Sequence, residues 1–536
     1  MQPSLRVSRT RRKTISAFKG LSLRATVPDG YFADAENVTT AEYPAIKPRA
    51  KRAYITDCGT VSSMFMHNEM VWVDDGALYY GSSYIGNLTA GEKQFATLGS
   101  TVVIYPDKVC LNTQTRTLRS IESYYSHAGA TVYPSDADGN LQFNSPYVKV
   151  FAQGIDSYFN KGDCVSISGF SSTNINGDYV IQNKGTDFIV VLFSVNVPTI
   201  ESGTVYVRRT APDLDFICSL NNRVWGCRAD GNEIYACKLG DPLNWNCFEG
   251  ISTDAYVATA ASPGAFTGLT SNLGNVIFFK ENEILKVYGN KPSNFQIVSS
   301  RMPGIRAGAA NTLAYTGSTL FYLGLSGIFA YDGSEPVCIS YALGDNRFTE
   351  GCAGAYDGKY YASLYNATLA EWQIYVYDAQ TGIWVRESGG HVKFFAGIGT
   401  DLYFALYNSR IYSVNRSGLW YDPDLVPATR GKYAETGFSW YAQSGAISLT
   451  APDGQFVTRL HMRVTVSNAA TLKVYLRYSA DGDWTQAASI EGPAEDQLVS
   501  IPVQAVRASS FYWKVSGTDM CVIKSVTMSY ETGGEI

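Results

Sequence analysis

The sequence predicts an all-β protein built around a β-propeller of five or six blades, with an inserted small β-barrel domain and a C-terminal β-sandwich. Composition is the first indication, because tyrosine (37), phenylalanine (25) and glycine (49) are abundant while charged residues make up only 17%. Aromatic side chains favour strands and glycine favours turns. No long segment shows an amphipathic helical stripe with caps. Short apolar strand pairs joined by tight turns instead recur along the chain.

The clearest of these strand pairs is Tyr377–Trp384, which reads YDAQTGIW. Asp378 is expected to hydrogen-bond its own backbone, and Gly382 to supply the positive φ of a tight reversal. Trp384 then opens the next strand, where it can pack beneath the turn. This pattern is typical of the inner hairpin of a propeller blade.

The same hairpin position recurs at intervals that fit four-stranded blades. The corresponding tyrosines are separated by 53, 43, 46 and 35 residues, mostly near the period of about 40–50 residues of such blades. A single blade leaves both sheet faces exposed to solvent, whereas closure of the blades into a ring buries these faces and protects the strand edges. These tyrosines are Tyr235, Tyr288, Tyr331, Tyr377 and Tyr412.

Changes of pattern along the chain predict five regions. The blade rhythm breaks near residue 120, where at least five short strands with tight turns indicate a small barrel. Strict alternation in Leu460–Val466 and Leu472–Tyr478 indicates sheets with one buried face, as in a sandwich. The regions are an extended basic N-terminal arm (1–55), the first part of the propeller (56–121), the inserted barrel (122–210), the remainder of the propeller (211–424) and the sandwich (425–536).

The N-terminal arm is basic, whereas the rest of the chain is acidic. Residues 1–52 hold 11 Lys/Arg against 4 Asp/Glu, and the remainder holds 32 against 44. A solvated disordered arm, docking to an acidic partner and contact with nucleic acid all fit this charge. The candidate assembly contacts are Arg6, Arg9, Arg11, Arg12 and Lys13.

Candidate catalytic and metal-binding motifs are few. The sequence therefore predicts a non-enzymatic protein without cofactor, catalytic residues or metal. The four histidines lie in different regions, and no nucleophile elbow, zinc-protease or phosphate-loop motif occurs. Asp136–Asn140 has oxygen ligands at alternate positions but lacks the bidentate Glu of a calcium loop, so a plain turn is expected. Four cysteines recur every nine or ten residues, which favours buried thiols over a zinc site or disulfides. They are Cys218, Cys227, Cys237 and Cys247.

Targeting signals are not evident from the sequence. The basic start, Met1–Lys13, is not followed by an apolar segment, and no run approaches the ~18 apolar residues of a membrane span. Synthesis and folding in a cytoplasm are therefore expected.

Two stretches resemble tailed-bacteriophage virion proteins. One combines Phe18–Leu21, Asp29–Asn37 and Tyr43–Arg49, and the other is Ile234–Trp245. Within that group, the tail nozzle, or tubular tail protein, of short-tailed phages has the most similar layout. The resemblance implies a propeller with inserted β-domains and a homohexameric ring in the virion tail, assembled in the host cytoplasm. It also implies neighbouring tail or portal-adaptor proteins as partners, transient passage of double-stranded DNA, and no catalytic residues.

Two other functions remain open from the sequence. The first is a tail fibre or host-adhesion protein whose C-terminal sandwich binds a surface glycan. The second is a propeller hydrolase, for which Ser479–Trp484 offers only an out-of-register likeness to the Asp box of sialidases.

Overall fold

The computed structural model describes residues 10–170, 175–193, 200–398, 401–408, 410–414, 435, 437–448, 455–504, 506–508 and 510–532. Strands dominate these residues, and helix is limited to 3-10 turns at Ile155–Ser157, Pro292–Asn294, Ala310–Thr312 and Ser340–Leu343. The chain divides into two compact units. One comprises Met1–Thr60 with Gly308–Ile536, and the other comprises Val61–Ala307.

The N-terminal segment contributes strands to several sheets of the first unit. Residues 1–9, including Arg6 and Arg9, lie outside the described residues. In the rest of the predicted arm, strands Thr10–Ile15, Phe32–Glu36 and Ala53–Asp57 pair with strands from the C-terminal half of the chain, whereas Val38–Thr39 pairs with Lys47–Pro48. The strands are β1 (Thr10–Ile15), β2 (Phe32–Glu36), β3 (Val38–Thr39), β4 (Lys47–Pro48) and β5 (Ala53–Asp57).

The Val61–Ala307 unit begins with two four-stranded antiparallel meanders, continues with a barrel and ends with two more meanders. The first two meanders are β6 (Val61–His67), β7 (Glu69–Asp74), β8 (Ala77–Tyr80) and β9 (Ser83–Asn87), then β10 (Gln94–Leu98), β11 (Thr101–Tyr105), β12 (Val109–Asn112) and β13 (Thr117–Ser120).

The predicted inserted barrel is confirmed as a closed six-stranded barrel in the order β14-β15-β18-β17-β16-β19. Its interior is filled by one aliphatic and aromatic cluster that includes Val132, Val150, Phe159 and Val207. The strands are β14 (Ser123–Ser135), β15 (Tyr147–Phe151), β16 (Cys164–Ser168), β17 (Gly177–Gly185), β18 (Phe188–Leu192) and β19 (Glu201–Arg209).

The two meanders after the barrel complete this unit. Each pairs its strands in sequence order, and a long loop, residues 237–255, joins β22 to β23. They are β20 (Phe216–Leu220), β21 (Arg223–Cys227), β22 (Glu233–Ala236) and β23 (Tyr256–Thr259), then β24 (Gly268–Asn272), β25 (Asn275–Lys280), β26 (Glu283–Tyr288) and β27 (Gln296–Ser300).

Successive meanders of this unit stack face to face because their strands are apolar on both faces. In β11, Val102 and Ile104 join a cluster with the preceding meander, whereas Val103 and Tyr105 join a cluster with the following one. Trp225 of β21 continues the stack onto the last meander. The second and third meanders of this unit thereby bury both faces against neighbouring sheets.

The other unit contains three further four-stranded sheets. The third of them takes β5, from near the N-terminus, as its fourth strand beside β38. The strands are β28 (Ala314–Thr316), β29 (Thr319–Gly324), β30 (Gly327–Tyr331) and β31 (Val337–Cys338); β32 (Phe348–Tyr356), β33 (Lys359–Asn366), β34 (Glu371–Asp378) and β35 (Ile383–Glu387); and β36 (Val392–Ile398), β37 (Asp401–Leu406) and β38 (Arg410–Ser413).

Two larger sheets complete that unit. One has the order β1-β47-β41-β44 with β45 beside β41, and the other has the order β2-β39-β46-β42-β43 with β40 beside β46. The region predicted as a sandwich therefore shares both sheets with N-terminal strands. Its strands are β39 (Ser439–Ser444), β40 (Ile447–Ser448), β41 (Gln455–Val466), β42 (Thr471–Arg477), β43 (Thr485–Glu491), β44 (Ala494–Pro502), β45 (Arg507–Ala508), β46 (Ser510–Thr518) and β47 (Cys521–Thr532).

The described residues form seven four-stranded sheets, whereas the sequence predicts a propeller of five or six blades. Outer strands such as β13 and β31 are short and largely exposed. Hydrophobic alternation therefore marks only the inner strands, and residues 61–120 hold two complete sheets.

The Tyr377–Trp384 hairpin forms as the sequence predicts. Tyr377 pairs with Trp384 across β34 and β35, and their ring centroids lie 4.9 Å apart. Asp378 Oδ1 accepts hydrogen bonds from the backbone N–H groups of Gln380 (3.0 Å) and Thr381 (3.2 Å), and Gly382 has a φ of 70°. Trp384 is fully buried beneath the turn, and its indole N–H donates to the backbone oxygen of Ile339.

Candidate functional site

The described part of the predicted basic arm is strand β1, which lies at the edge of its sheet. It pairs antiparallel with β47, so that Arg11 lies opposite Tyr530 and Lys13 opposite Met528. Arg11 and Arg12 are exposed, whereas Lys13 is half-buried and forms a 2.6 Å ion pair with Asp29. Among the described strands only β47 pairs with β1, so β1 is an outer strand of this sheet and carries two exposed guanidinium groups. Such groups can bind carboxylates of another chain, and their charge discourages indiscriminate strand pairing.

Other basic residues of the N-terminal segment are buried in an internal charge network, which we call the arginine network (Asn37, Arg49, Arg52, Glu387 and Glu435). Arg49 donates two hydrogen bonds to the Glu435 carboxylate, at 2.8 and 2.7 Å. Arg52 donates to Glu387 Oε2 at 2.6 Å, and its backbone N–H donates to Glu435 at 2.7 Å. Asn37 Oδ1 accepts from Arg49 Nε at 2.9 Å. The network ties the N-terminal segment to β35.

Every charge in the arginine network is paired, and the pKa shifts reflect this pairing. Burial alone would lower the pKa of Arg49, but the hydrogen bond with Glu435 and the nearby Glu387 outweigh burial and raise it. Burial alone would raise the pKa of Glu435, yet the hydrogen bond from Arg49 lowers it. Both partners therefore stay ionised, as a buried salt bridge requires. Only Arg11 and Arg12 then remain, within the described part of 1–15, as exposed guanidinium groups for a partner.

The residues that carry the virion-protein resemblance form packed structural elements. In the N-terminal stretch, Phe18 stacks on Phe32 with centroids 5.9 Å apart and meets Trp513 edge-on at 6.3 Å. In the second stretch, Trp245 is 2% exposed, packs against Tyr105 and donates its indole N–H to the Pro242 oxygen at 3.0 Å. Both stretches therefore position neighbouring sheets within their own units.

The calcium-like segment forms a turn in which the side chains bond to one another. Asp136 accepts hydrogen bonds from the backbone N–H groups of Asp138 (2.9 Å) and Asn140 (2.8 Å) and from the Asn140 amide (2.9 Å). These bonds occupy the carboxylate oxygens in the way a plain turn does.

The cysteines and histidines are distributed over different parts of the fold. All ten cysteines are free thiols. Cys218 and Cys227 belong to one apolar cluster and Cys237 to another, so the predicted series of four does not converge. Cys247 lies elsewhere, beside Cys164 of the barrel. His391 is stacked between two aromatic rings, those of Trp372 and Tyr407.

Sequence reasoning missed the arginine network. Arg49 and Arg52 look like further members of a basic arm, because their partners Glu387 and Glu435 lie more than 300 residues away along the chain. The one local signal is the pair of prolines at 44 and 48, which predicts an extended segment with fixed anchors.

Comparison with known proteins does not assign the chain to a family. No family model matches it, and no curated protein matches it. Similar solved structures include the extracellular domain of a one component system from B. thetaiotaomicron (10% identity, 91% of this chain and 96% of that chain, TM-score 0.21). A second is Hsv2 of Kluyveromyces lactis (10% identity, 61% of this chain and 95% of that chain, TM-score 0.27). A third is an exo-beta-1,3-galactanase from Phanerochaete chrysosporium (9% identity, 58% of this chain and 94% of that chain, TM-score 0.17). At these TM-scores the similarities support no conclusion about fold or function.

No helix in the described part of the chain has the length and apolar character needed to cross a membrane.

Proposed function

We propose that this chain is a structural subunit of a tailed-phage virion, a tail nozzle or another axial tail component that assembles into a ring. Strand β1 carries the proposal, because it is the outer strand of its sheet among the described strands and exposes Arg11 and Arg12. Two exposed guanidinium groups suit an acidic surface of a neighbouring copy. The acidic excess of residues 53–536 supplies such a surface on each copy. A head-to-tail contact of this kind generates a ring when the rotation closes.

The seven four-stranded sheets are, in this proposal, blades of a β-propeller. The stacking of successive meanders in the Val61–Ala307 unit supports it, since β11 and β21 each contribute side chains to two apolar clusters. The participation of β5 beside β38 also supports it, because joining the two ends of a blade series in one sheet is a way to close a ring.

The acidic body also suits passage of double-stranded DNA. A channel wall that offers few Lys or Arg releases few counterions from the phosphates, so the DNA slides instead of binding. In this proposal a hexameric ring lies next to other tail or portal-adaptor proteins.

The assembly contact can be tested by charge reversal on β1. In Arg12→Glu the neighbouring acidic surface is repelled, so we expect native mass spectrometry and light scattering to show rings of the unaltered chain and at least tenfold weaker association of the variant. Lys473→Glu is the matched control, because Lys473 is also exposed but lies on the interior strand β42. Equal assembly of all three proteins would contradict the proposed contact. Antibody labelling of phage particles that places the chain away from the tail axis would contradict the axial position.

A second candidate function, binding of a surface glycan, is favoured by an exposed aromatic stack. His391 lies parallel to Trp372, with centroids 3.6 Å apart, and parallel to Tyr407 at 4.8 Å. Burial lowers the pKa of His391, so the ring is neutral near pH 7 and stacks without a charge. Tyr407 is 67% exposed at the end of the stack, where a sugar ring can lie on its face. The stack lies outside residues 425–536, to which the sequence assigns glycan binding.

A glycan array with the full chain tests this second function. Specific binding that is lost in Tyr407→Ala and kept in Tyr341→Ala, another exposed tyrosine, would support adhesion. An array without specific signals, or equal binding by both variants, would exclude this aromatic stack as the glycan site.

A further inference from the structure

The loop between β22 and β23 is held in a fixed shape by one buried arginine. Arg223 is 1% exposed, and its guanidinium donates to the backbone oxygens of Cys237 (2.7 Å), Ser252 (2.9 Å) and Asp254. The backbone N–H of Leu239 also donates across the loop to the Thr253 oxygen at 2.9 Å. Side chains on this loop are therefore positioned by a rigid backbone.

Three potential metal ligands converge on this loop, at Cys247, Glu249 and Asp254. Their donor atoms all lie within 4.8 Å of one another, and the Cys247 Sγ to Glu249 Oε2 distance is 3.9 Å. Cys247 and Asp254 are buried, whereas Glu249 is exposed and leaves the cluster open to solvent. We call this cluster the thiol–carboxylate site.

Asp254 provides the second indication of a ligand. Its Oδ2 accepts hydrogen bonds from the backbone N–H groups of Gly250 (2.6 Å) and Ile251 (3.0 Å), which fix the carboxylate. Its Oδ1 is buried without a hydrogen-bond partner, although the residue is only 4% exposed. A buried carboxylate oxygen without a hydrogen-bond partner is costly, and a bound ion is one way to offset that cost.

We propose that Cys247, Glu249 and Asp254 bind a divalent transition-metal ion of the zinc class. A thiolate with two carboxylates favours zinc over calcium or magnesium, which prefer oxygen ligands alone. Tetrahedral zinc, with bonds of about 2.3 Å to sulfur and 2.0–2.2 Å to oxygen, places its ligand atoms about 3.3–3.7 Å apart. The observed 3.9 Å sulfur–oxygen distance needs a shift of only a few tenths of an ångström.

The groups around the thiol–carboxylate site are compatible with this ion. The Cys164 thiol lies beside Cys247, where it or a water molecule can complete four ligands. The Lys238 ammonium group lies close to the Cys247 thiol. Three anionic ligands are then balanced by one divalent ion and one ammonium group.

Cobalt(II) titration of the full-length, chelator-treated protein tests the proposal. We expect one equivalent to produce a thiolate-to-cobalt charge-transfer absorption that one equivalent of zinc removes. Cys247→Ser should abolish the absorption, and Asp254→Asn should weaken cobalt affinity at least tenfold. Cys218→Ser is the matched control, because Cys218 sits in an apolar cluster of the same unit, and it should leave the titration unchanged.

Two outcomes would overturn the proposal: no thiolate band in the unaltered protein, or an undiminished band in Cys247→Ser. Glu249→Gln guards against a folding defect, because Glu249 is exposed. That variant should keep the circular dichroism spectrum of the unaltered chain while binding cobalt at least tenfold more weakly, and unchanged affinity would also reject the site.

Discussion

The arginine network and the thiol–carboxylate site both contain buried carboxylates, but these carboxylates differ in whether all their oxygens have partners. In the arginine network, Glu387 and Glu435 are met by guanidinium groups within 2.8 Å. In the thiol–carboxylate site, Asp254 keeps one buried oxygen without a hydrogen-bond partner. Fully paired buried charges hold the fold together, because removing one partner leaves the other as an uncompensated buried charge. An unpaired one indicates a site that a ligand completes.

The largest effect is expected where the pairing is complete. Glu387→Ala leaves Arg52 and Arg49 buried without one of their counter-ions, so we expect the free energy of unfolding to fall by about 3–5 kcal/mol. Urea unfolding followed by tryptophan fluorescence measures the loss. The control Glu42→Ala removes a more exposed ion pair with Lys47 and should change stability by less than about 1 kcal/mol. Equal losses in both variants would remove the distinction between buried and exposed pairs.

The second-largest effect, the loss of stability in Glu435→Gln, is expected to depend on pH. The pKa of Glu435 is lowered below the ordinary value of 4.5 by the hydrogen bond from Arg49. A carboxyl whose folded pKa is lowered contributes stability that is fully present above 4.5 and is lost as pH falls through the folded pKa. Glu435→Gln should therefore cost about 1–3 kcal/mol at pH 7. The difference in melting temperature from the unaltered chain should shrink steadily below pH 4.5, and a difference that stayed constant from pH 7 to pH 3 would contradict this assignment.

Which of these features the sequence predicts depends on how far apart along the chain the contacting residues lie. The Tyr377–Trp384 hairpin and the barrel follow from local turn residues and strand alternation, which act between neighbours in the chain. The addition of β5 to β38 and the pairing of Arg49 with Glu435 join residues more than 300 positions apart. No local pattern encodes such pairings, so Arg49 and Arg52 were grouped with the basic arm.

The thiol–carboxylate site was hidden for a related reason. The regular spacing of four cysteines drew attention to Cys247 as a member of a series. In the fold its neighbours are Glu249 and Asp254 of the same loop and Cys164 of the barrel. A loop bent back by the hydrogen bonds of Arg223 brings these donors together, and cysteine spacing carries no information about that bend.

A smaller effect is expected from Asp254→Asn in the presence of chelator. The asparagine oxygen can still accept from Gly250 and Ile251, and its amide replaces the carboxylate oxygen that has no hydrogen-bond partner. Because the substitution removes a buried carboxylate oxygen that has no hydrogen-bond partner, we expect the free energy of unfolding to change by less than about 1 kcal/mol. Thermal unfolding with and without chelator measures it. A loss as large as that of Glu387→Ala would mean that Asp254 is fully paired within the protein and that the contrast between the two sites does not hold.

The smallest effect is expected for Arg12→Ala, which extends the comparison to an exposed charge. Arg12 lies on the edge strand β1, exposed to solvent, so its guanidinium loses little hydration on folding. We expect the free energy of unfolding of the isolated chain to change by less than about 0.5 kcal/mol. Urea unfolding at a protein concentration too low for copies to associate separates this value from any contribution of a neighbouring copy. A loss of several kcal/mol would place Arg12 in an internal network like that of Arg49, and the basic edge would then be part of the core instead of a surface for assembly.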